Sequence, residues 1–320
     1  MRGFRPDFTP ERQSRSVSCM AHSAPASPLV LGLLRPPGAR SGPQGVGASS
    51  TGVPRFATPA TLEWTLRVGA CMCFFGHGAF AVITKAGWLP YFALAGIESD
   101  TAYRLMPLIG LHDISLGLLA LFAPRPALTW WMLAWTLWTA MLRPLAAEPL
   151  WEMLERAGNY GVPAAMLALM ATAQGTSRWR SWFGQLAMRD PTPATLTAAA
   201  RVLFAALALL LVGHGALGLI GKAGLVANYA SVLPANAARE MTPIIGALEI
   251  MLAGAVLLWP ARQLLLAVAA WKLLTEMLFL AAGAPVWEVI EGGGSYAVPV
   301  ALAIVLSMRG SRVERSFVAL

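Results

Sequence analysis

The chain has 320 residues, of which 57% are hydrophobic and only 12% are charged, and its mean hydropathy is +0.59. Soluble domains carry roughly 25% charged residues, so this composition excludes an ordinary water-soluble globular protein. The net charge of +8 would suit a nucleic-acid-binding protein. However, most basic residues lie in the N-terminal tail and in alternate loops, which indicates membrane topology instead.

The first sixty residues differ in composition from the rest of the chain. They are rich in Arg, Ser, Pro and Gly, and Asp7 and Glu11 are their only acidic residues. Such a segment cannot bury an apolar core, so we predict a disordered, low-complexity tail over residues 1–60. A transit peptide has a similar composition, and so does a mis-assigned start with the true start at Met20 or later.

Eight apolar segments follow the tail, and each is close to the roughly 17–25 residues that cross a bilayer as a helix. Five of them contain no charged residue, and three contain one or two ionisable residues. Lipid cannot satisfy unpaired backbone groups, so the spans must be helices. The predicted fold is therefore an all-α membrane protein with eight transmembrane helices, near residues 68–84, 105–123, 127–142, 157–177, 202–221, 241–259, 263–284 and 292–308.

The chain also repeats itself. Gly76-His77-Gly78 recurs 137 residues later around His214, and after one residue is lost the shift becomes 136. The segment that begins Pro149-Leu-Trp-Glu152 returns in the same way as Pro285-Val-Trp-Glu288. Such agreement at one register predicts a tandem duplication of a four-helix bundle. The predicted parts are a first repeat over 61–176, a cytoplasmic linker over 177–198, a second repeat over 199–308 and a basic C-terminal tail over 309–320.

Orientation follows from the even number of spans and from the basic residues. Four spans per repeat make both repeats enter the membrane in the same direction, as parallel repeats. With the N-terminus inside, ten arginines of the inner loops and seven of the tail lie on the cytoplasmic side. Only six basic residues lie outside. This bias predicts a cell (inner) membrane protein with both termini in the cytoplasm.

Ionisable residues inside predicted spans mark the candidate site, because they are costly in lipid and usually face the bundle interior. His77 and His214 fall near mid-membrane in spans 1 and 5. Asp113 and Glu249 fall about two turns below the outer end of spans 2 and 6. We take these four as candidate catalytic groups that handle protons. The alternative is structural: glycines for close helix packing, with each His bonded to the carboxylate of span 2. His112, next to Asp113, occurs in the first repeat alone.

A second predicted group is an outer-face polar cluster where the spans meet the outer surface. Its members are Lys85, Glu152, Glu155, Tyr160, Lys222, Glu288, Glu291 and Tyr296. The lysines also suit interfacial anchors, and the Trp-Glu-x-x-Glu segments suit an interfacial belt. Two Glu at i and i+3 share a helix face, but a third type of ligand is missing, so we predict no metal site.

Lys272 and Glu276 lie four residues apart in span 7, where the first repeat has Thr136 and Ala140. They are predicted to form an ion pair specific to the second repeat. That pair either neutralises itself or marks the repeat that kept a function.

Cofactors are left open by the residues. A quinone is compatible with His and carboxylate groups at depth, and His77 and His214 at equal depth could ligate a b-type haem. Nothing else in the chain calls for haem, so we predict its absence.

The repeated unit resembles the DoxX/DoxD-like family of four-helix membrane proteins over nearly all of residues 64–306. The resemblance rests on Gly-His-Gly followed by Lys in span 1 and on a Pro-x-x-Gly-x-x-acid pattern with a later Gly in span 2. The span 2 residues are Pro107, Gly110, Asp113 and Gly117, and Pro243, Gly246, Glu249 and Gly254. The family is usually a single unit, and its Lys follows His more closely. The resemblance implies a membrane subunit of a redox complex, with thiosulfate:quinone oxidoreduction as the family's named activity.

The expected function is therefore a membrane redox or quinone-associated subunit. Its expected partners are the lipid bilayer and a soluble or membrane redox protein. The alternatives are a small-solute or proton-coupled permease and a non-catalytic structural subunit.

Overall fold

The computed structural model describes residues 57–170, 182–184 and 191–318, with side chains through residue 310. Most of the predicted tail (1–60) and much of the predicted linker (177–198) lie outside the described residues. Regular structure in the described residues is helical throughout.

The N-terminal half contains three long helices that alternate with shorter ones. They are α1 (Pro59–Val82), α2 (Leu89–Ala93), α3 (Ser99–Phe122), α4 (Pro126–Leu145), α5 (Trp151–Glu155) and α6 (Ala157–Met170). A short 3₁₀ helix, Ala86–Trp88, precedes α2.

The C-terminal half has the same order of long and short helices. They are α7 (Pro193–Leu219), α8 (Ala223–Ala230), α9 (Ala235–Leu258), α10 (Arg262–Ala281), α11 (Trp287–Glu291) and α12 (Gly293–Val318). The backbone of α12 continues to Val318, through most of the segment that we predicted to be a C-terminal tail.

Six helical segments in the described residues are long and apolar enough to cross a membrane. They are α1, α3, α7, α9, α10 and the segment Trp287–Gly310, so the protein has the character of a multi-pass membrane protein. Helix α4 is 20 residues long, but it carries four tryptophans, whose amphipathic rings favour membrane interfaces over the apolar centre. Helix α6 is described only to Met170.

Helices α1 and α7 begin earlier than the apolar runs predict. Thr58 caps α1 by accepting a hydrogen bond from the backbone N–H of Thr61, and Pro59 occupies the first helical turn. Thr192 and Pro193 do the same for α7. A Thr cap followed by Pro is a strong start signal, and it adds more than two turns before the apolar run.

The two halves interleave. Helix α1 packs on α3 of its own half and then on α11 and α12 of the other half, while α7 packs on α9 and then on α5 and α6. Adjacent helices α3 and α4 barely touch, and the same holds for α9 and α10. The prediction of two separate four-helix bundles was therefore wrong in its packing. The apolar residues of α1, α6, α7 and α12 form one shared core.

Glycines permit the closest of these contacts, and the contacts are reciprocal. A Cβ on Gly76 would collide with the backbone of Glu291, and one on Gly213 would collide with the backbone of Glu155. Gly158 and Gly294, at equivalent positions in the two halves, lie against each other's backbone. Each α5–α6 or α11–α12 segment therefore lies directly against the long first helix of the opposite half.

Candidate functional site

The centre of the candidate site is a hydrogen bond between α1 and α3. Nδ1 of His77 lies 2.7 Å from Oδ2 of Asp113, and Asp113 is completely buried. The helices approach closely enough because Gly78 and Gly110 face each other; a Cβ on Gly78 would lie 2.7 Å from the Gly110 carbonyl oxygen. His77 lies five residues before the end of α1.

A second histidine fixes the protonation pattern of this pair. Nδ1 of His112 lies 3.0 Å from Oδ1 of Asp113, and Trp131 Nε1 donates to His112 Nε2 at 2.9 Å. Because Nε2 accepts from the indole, His112 is neutral and its Nδ1–H donates to the carboxylate. Asp113 therefore accepts one bond from each histidine. This leaves Nε2 of His77 without a partner among the described residues.

His77 lines a cavity of about 550 Å³ between the helices of the N-terminal half and α11, a volume within the range of small-molecule sites. Its walls are largely aromatic; the His77 ring stacks on Trp88 with centroids 4.5 Å apart. Trp135 also lines the cavity, and its buried Nε1–H has no hydrogen-bond partner in the described part of the chain. The cavity thus offers one unpartnered imidazole nitrogen between aromatic rings.

Charged groups at the wall of this cavity are mostly neutralised by one another. Arg143 lies 3.3 Å from Glu148 and 3.8 Å from Glu152. The phenol of Tyr91 donates to Glu148, and burial raises the pKa of Tyr91, so this phenol stays protonated. Glu291 also lines the cavity, and no ion pair of this carboxylate occurs among the described residues.

The C-terminal half holds the equivalent pair in a different setting. His214 Nδ1 bonds to Glu249, which is fully buried and also accepts from Trp271 Nε1 at 2.9 Å. The other ring nitrogen of His214 lies 3.9 Å from Glu155 Oε1. The ammonium of Lys272 lies 3.6 Å from Glu249 Oε1. This carboxylate is therefore surrounded by partners from within the protein.

The predicted ion pair between Lys272 and Glu276 does not form. Lys272 is 1% exposed, and the ion pair that it makes in the described structure is with Glu249 on α9. The reason is geometric: the lysine side chain crosses to the neighbouring helix rather than following its own helix for one turn.

The predicted outer-face cluster assembles across the two halves instead of within each repeat. Lys85 pairs with Glu288 at 2.9 Å, and Lys222 pairs with Glu152 at 2.5 Å. Arg156 also bonds to Glu152, at 3.0 Å. The pairs cross between the halves because α5 and α11 each lie against the first helix of the opposite half.

The two tyrosines of the predicted cluster have another role. Tyr160 donates to the Met153 carbonyl at 3.3 Å, and Tyr296 donates to the Val289 carbonyl at 3.0 Å. Each phenol therefore ties a long helix to the short helix before it. Neither makes a hydrogen bond to the ionisable groups of the site.

Sequence reasoning missed several residues of the cavity, above all Trp88, Tyr91, Trp135 and Arg143. A comparison of aligned positions in the two halves could have found two of them, because the residues differ there. Tyr91 and Arg143 align with Asn228 and Phe279 of the C-terminal half, so they are polar groups specific to the first half, as His112 is. Within the described residues, no group of three or more His, Cys, Asp or Glu could hold a metal ion.

Comparisons of the chain with protein-family models, curated proteins and solved structures found no match. The function must therefore be argued from the geometry of the site.

Proposed function

We propose that the chain is an eight-span protein of the cell (inner) membrane with two parallel DoxX-like repeats. Both of its termini lie on the cytoplasmic side. The matching order of helices, the reciprocal glycine contacts and the matched His–carboxylate pairs support the duplication. The distribution of basic residues supports the orientation. In this arrangement α4 and α6 are the third and fourth spans.

The N-terminal cavity is the functional site, and its ligand is a quinone. The observation that carries this proposal is the unpartnered Nε2 of His77 on a cavity with largely aromatic walls. A quinone ring is flat, apolar on its faces and polar at two opposite oxygens. It matches aromatic walls, with one oxygen accepting a hydrogen bond from Nε2–H of His77 when the imidazole is protonated.

The histidine supplies the proton chemistry. Reduction of a quinone to a quinol takes up two electrons and two protons. In our proposal the electrons come from a redox partner subunit, and His77 passes protons at Nε2. The Asp113 carboxylate holds Nδ1 in its protonated form, orients the ring and stabilises the imidazolium that forms during transfer. His112 and Trp131 hold the carboxylate in turn.

Quinone binding to the purified protein in lipid nanodiscs tests this proposal. Decylubiquinone should quench tryptophan fluorescence saturably, because Trp88 and Trp135 line the cavity. His77→Gln should weaken binding by about tenfold or more, the loss of a hydrogen bond to a buried group. The matched change His214→Gln should alter it less than twofold, because His214 lies in the other half and is already paired.

Two results would contradict the proposal. Absence of saturable quenching would reject the quinone, leaving the permease or the structural subunit. Equal losses in both histidine variants would show that the cavity of the N-terminal half is not the binding site.

A further inference from the structure

One aligned position differs most between the surroundings of the two histidine–carboxylate pairs. Thr136 lines the cavity of the N-terminal half, and Lys272 stands at the equivalent position of α10. The lysine side chain leaves α10, stays almost fully buried and brings its ammonium to within 3.6 Å of Glu249 on α9. It therefore crosses the space that corresponds to the cavity between Thr136 and Asp113.

The surrounding groups fit an occupied site. Trp271 aligns with Trp135, but its indole N–H is bonded to Glu249, whereas that of Trp135 is unpartnered. Glutamate is one methylene longer than aspartate, so Glu249 can reach the indole as well as its histidine. The indole N–H that has no partner in one half is thus hydrogen-bonded in the other.

We propose that Lys272 occupies the C-terminal counterpart of the cavity from within the protein, so that the chain has one open ligand site and one permanently closed site. The ammonium takes the place beside the carboxylate, and the four-carbon stem lies across the space between α10 and α9. Lys272 is then the residue that sets the stoichiometry at one ligand per chain. Which ligand binds rests on the function proposed above; the closure by Lys272 does not.

Cysteine labelling tests the closure without any ligand. The probes are Thr139→Cys and Thr275→Cys, which are equivalent positions one turn after Thr136 and Lys272. Each is made in full-length protein that also carries Cys19→Ser, Cys71→Ser and Cys73→Ser. Thr139 lines the open cavity, whereas Thr275 is buried. N-ethylmaleimide should label the first probe readily and the second at least tenfold more slowly.

Substitution at the two aligned positions should reverse this pattern. Lys272→Thr should raise labelling of the Thr275→Cys probe about tenfold, and Thr136→Lys should lower labelling of the Thr139→Cys probe by a similar factor. Lys272→Met keeps a long side chain at this position but removes the charge, so the Thr275→Cys probe should still be labelled slowly. If Lys272→Met labels as fast as Lys272→Thr, a loosened fold explains the exposure and the proposal is wrong. If Lys272→Thr leaves the probe slow, no closed cavity exists and the proposal is equally wrong.

Decylubiquinone titration of the same variants with native cysteines adds the stoichiometry. The wild-type protein should bind one equivalent, Lys272→Thr two, and Thr136→Lys one-tenth of an equivalent or less. A wild-type protein that binds no quinone but shows the labelling pattern would reject the proposed function and retain the closed site. Two equivalents bound by the wild-type protein would overturn the closed site while leaving quinone binding intact.

Discussion

The two halves of the protein build the same histidine–carboxylate pair and surround it differently. In the N-terminal half His77 and Asp113 border a cavity of about 550 Å³. In the C-terminal half His214 and Glu249 are enclosed by Trp271 and by the buried ammonium of Lys272. The comparison distinguishes the packing that both halves share from the side chains that differ between them. Glycine-mediated packing makes the pair in both halves, and a few neighbouring side chains determine what surrounds it.

The largest expected difference between the halves concerns stability. Glu249→Gln removes the anion beside a Lys272 side chain that is 1% exposed, and breaking a buried ion pair in this way costs about 3–5 kcal/mol. Asp113→Asn disturbs the hydrogen bonds from two imidazoles and should cost about 1–3 kcal/mol. Thermal unfolding in detergent should therefore show a clearly lower Tm for Glu249→Gln than for Asp113→Asn.

The double variant Glu249→Gln with Lys272→Met provides the control for that comparison. It removes both charges together, so it should recover much of the lost Tm. Equal Tm values for Glu249→Gln and Asp113→Asn, with no recovery in the double variant, would show that Lys272 does not distinguish the halves.

The glycine scaffold should respond alike in both halves. Gly78→Ala would place a Cβ 2.7 Å from the Gly110 carbonyl oxygen, and Gly215→Ala would place one 2.6 Å from that of Gly246. Backbone must move in either case, so each change should cost about 1–3 kcal/mol. Gly224→Ala, which has open space around it, is the control. A loss of Tm in one half only would mean that the scaffolds are not equivalent.

A further expected difference involves the two aligned tryptophans. Trp271→Phe removes a hydrogen bond to the buried Glu249 carboxylate and should cost about 1.5–3 kcal/mol. Trp135→Phe removes an indole N–H that has no partner, so its unfolding free energy should change by less than about 0.5 kcal/mol beyond the smaller ring. The same Trp135→Phe variant should weaken quinone binding severalfold in nanodiscs. Unchanged affinity would place the ligand away from Trp135.

The sequence predicted the pairing of His77 with Asp113 and of His214 with Glu249, because periodicity and the 136–137-residue register placed them on neighbouring helices. It could not predict which half supplies the remaining groups. Lys222 could meet Glu152 or Glu288, since both follow a helix at the same end of the bundle. Only the packing of α7 against α5 decides in favour of Glu152.

The cavity itself was also beyond sequence reasoning. A cavity forms where side chains do not fill the space between helices, and the hydrophobic pattern does not show this. The short side chain of Thr136 does not stand out in that pattern. Lys272 gave the only clue, because an ionisable residue without a counterpart stood out in an apolar span. Its assumed partner, Glu276, followed from i,i+4 spacing, which describes exposed helices better than buried ones.

The packing of α1 against α11 and α12 has a consequence for how the protein is made. The chain leaves the ribosome from its N-terminus, so α1 and α3 are synthesised about 200 residues before the segment around Glu291 that lies against Gly76. The face of α1 that packs against α11 and α12 therefore stays uncovered by them throughout most of translation. Insertion of the final helix completes the first site. A chain that ends before α11 would contain every ionisable residue of α1 and α3. Its cavity would still lack the wall that α11 provides.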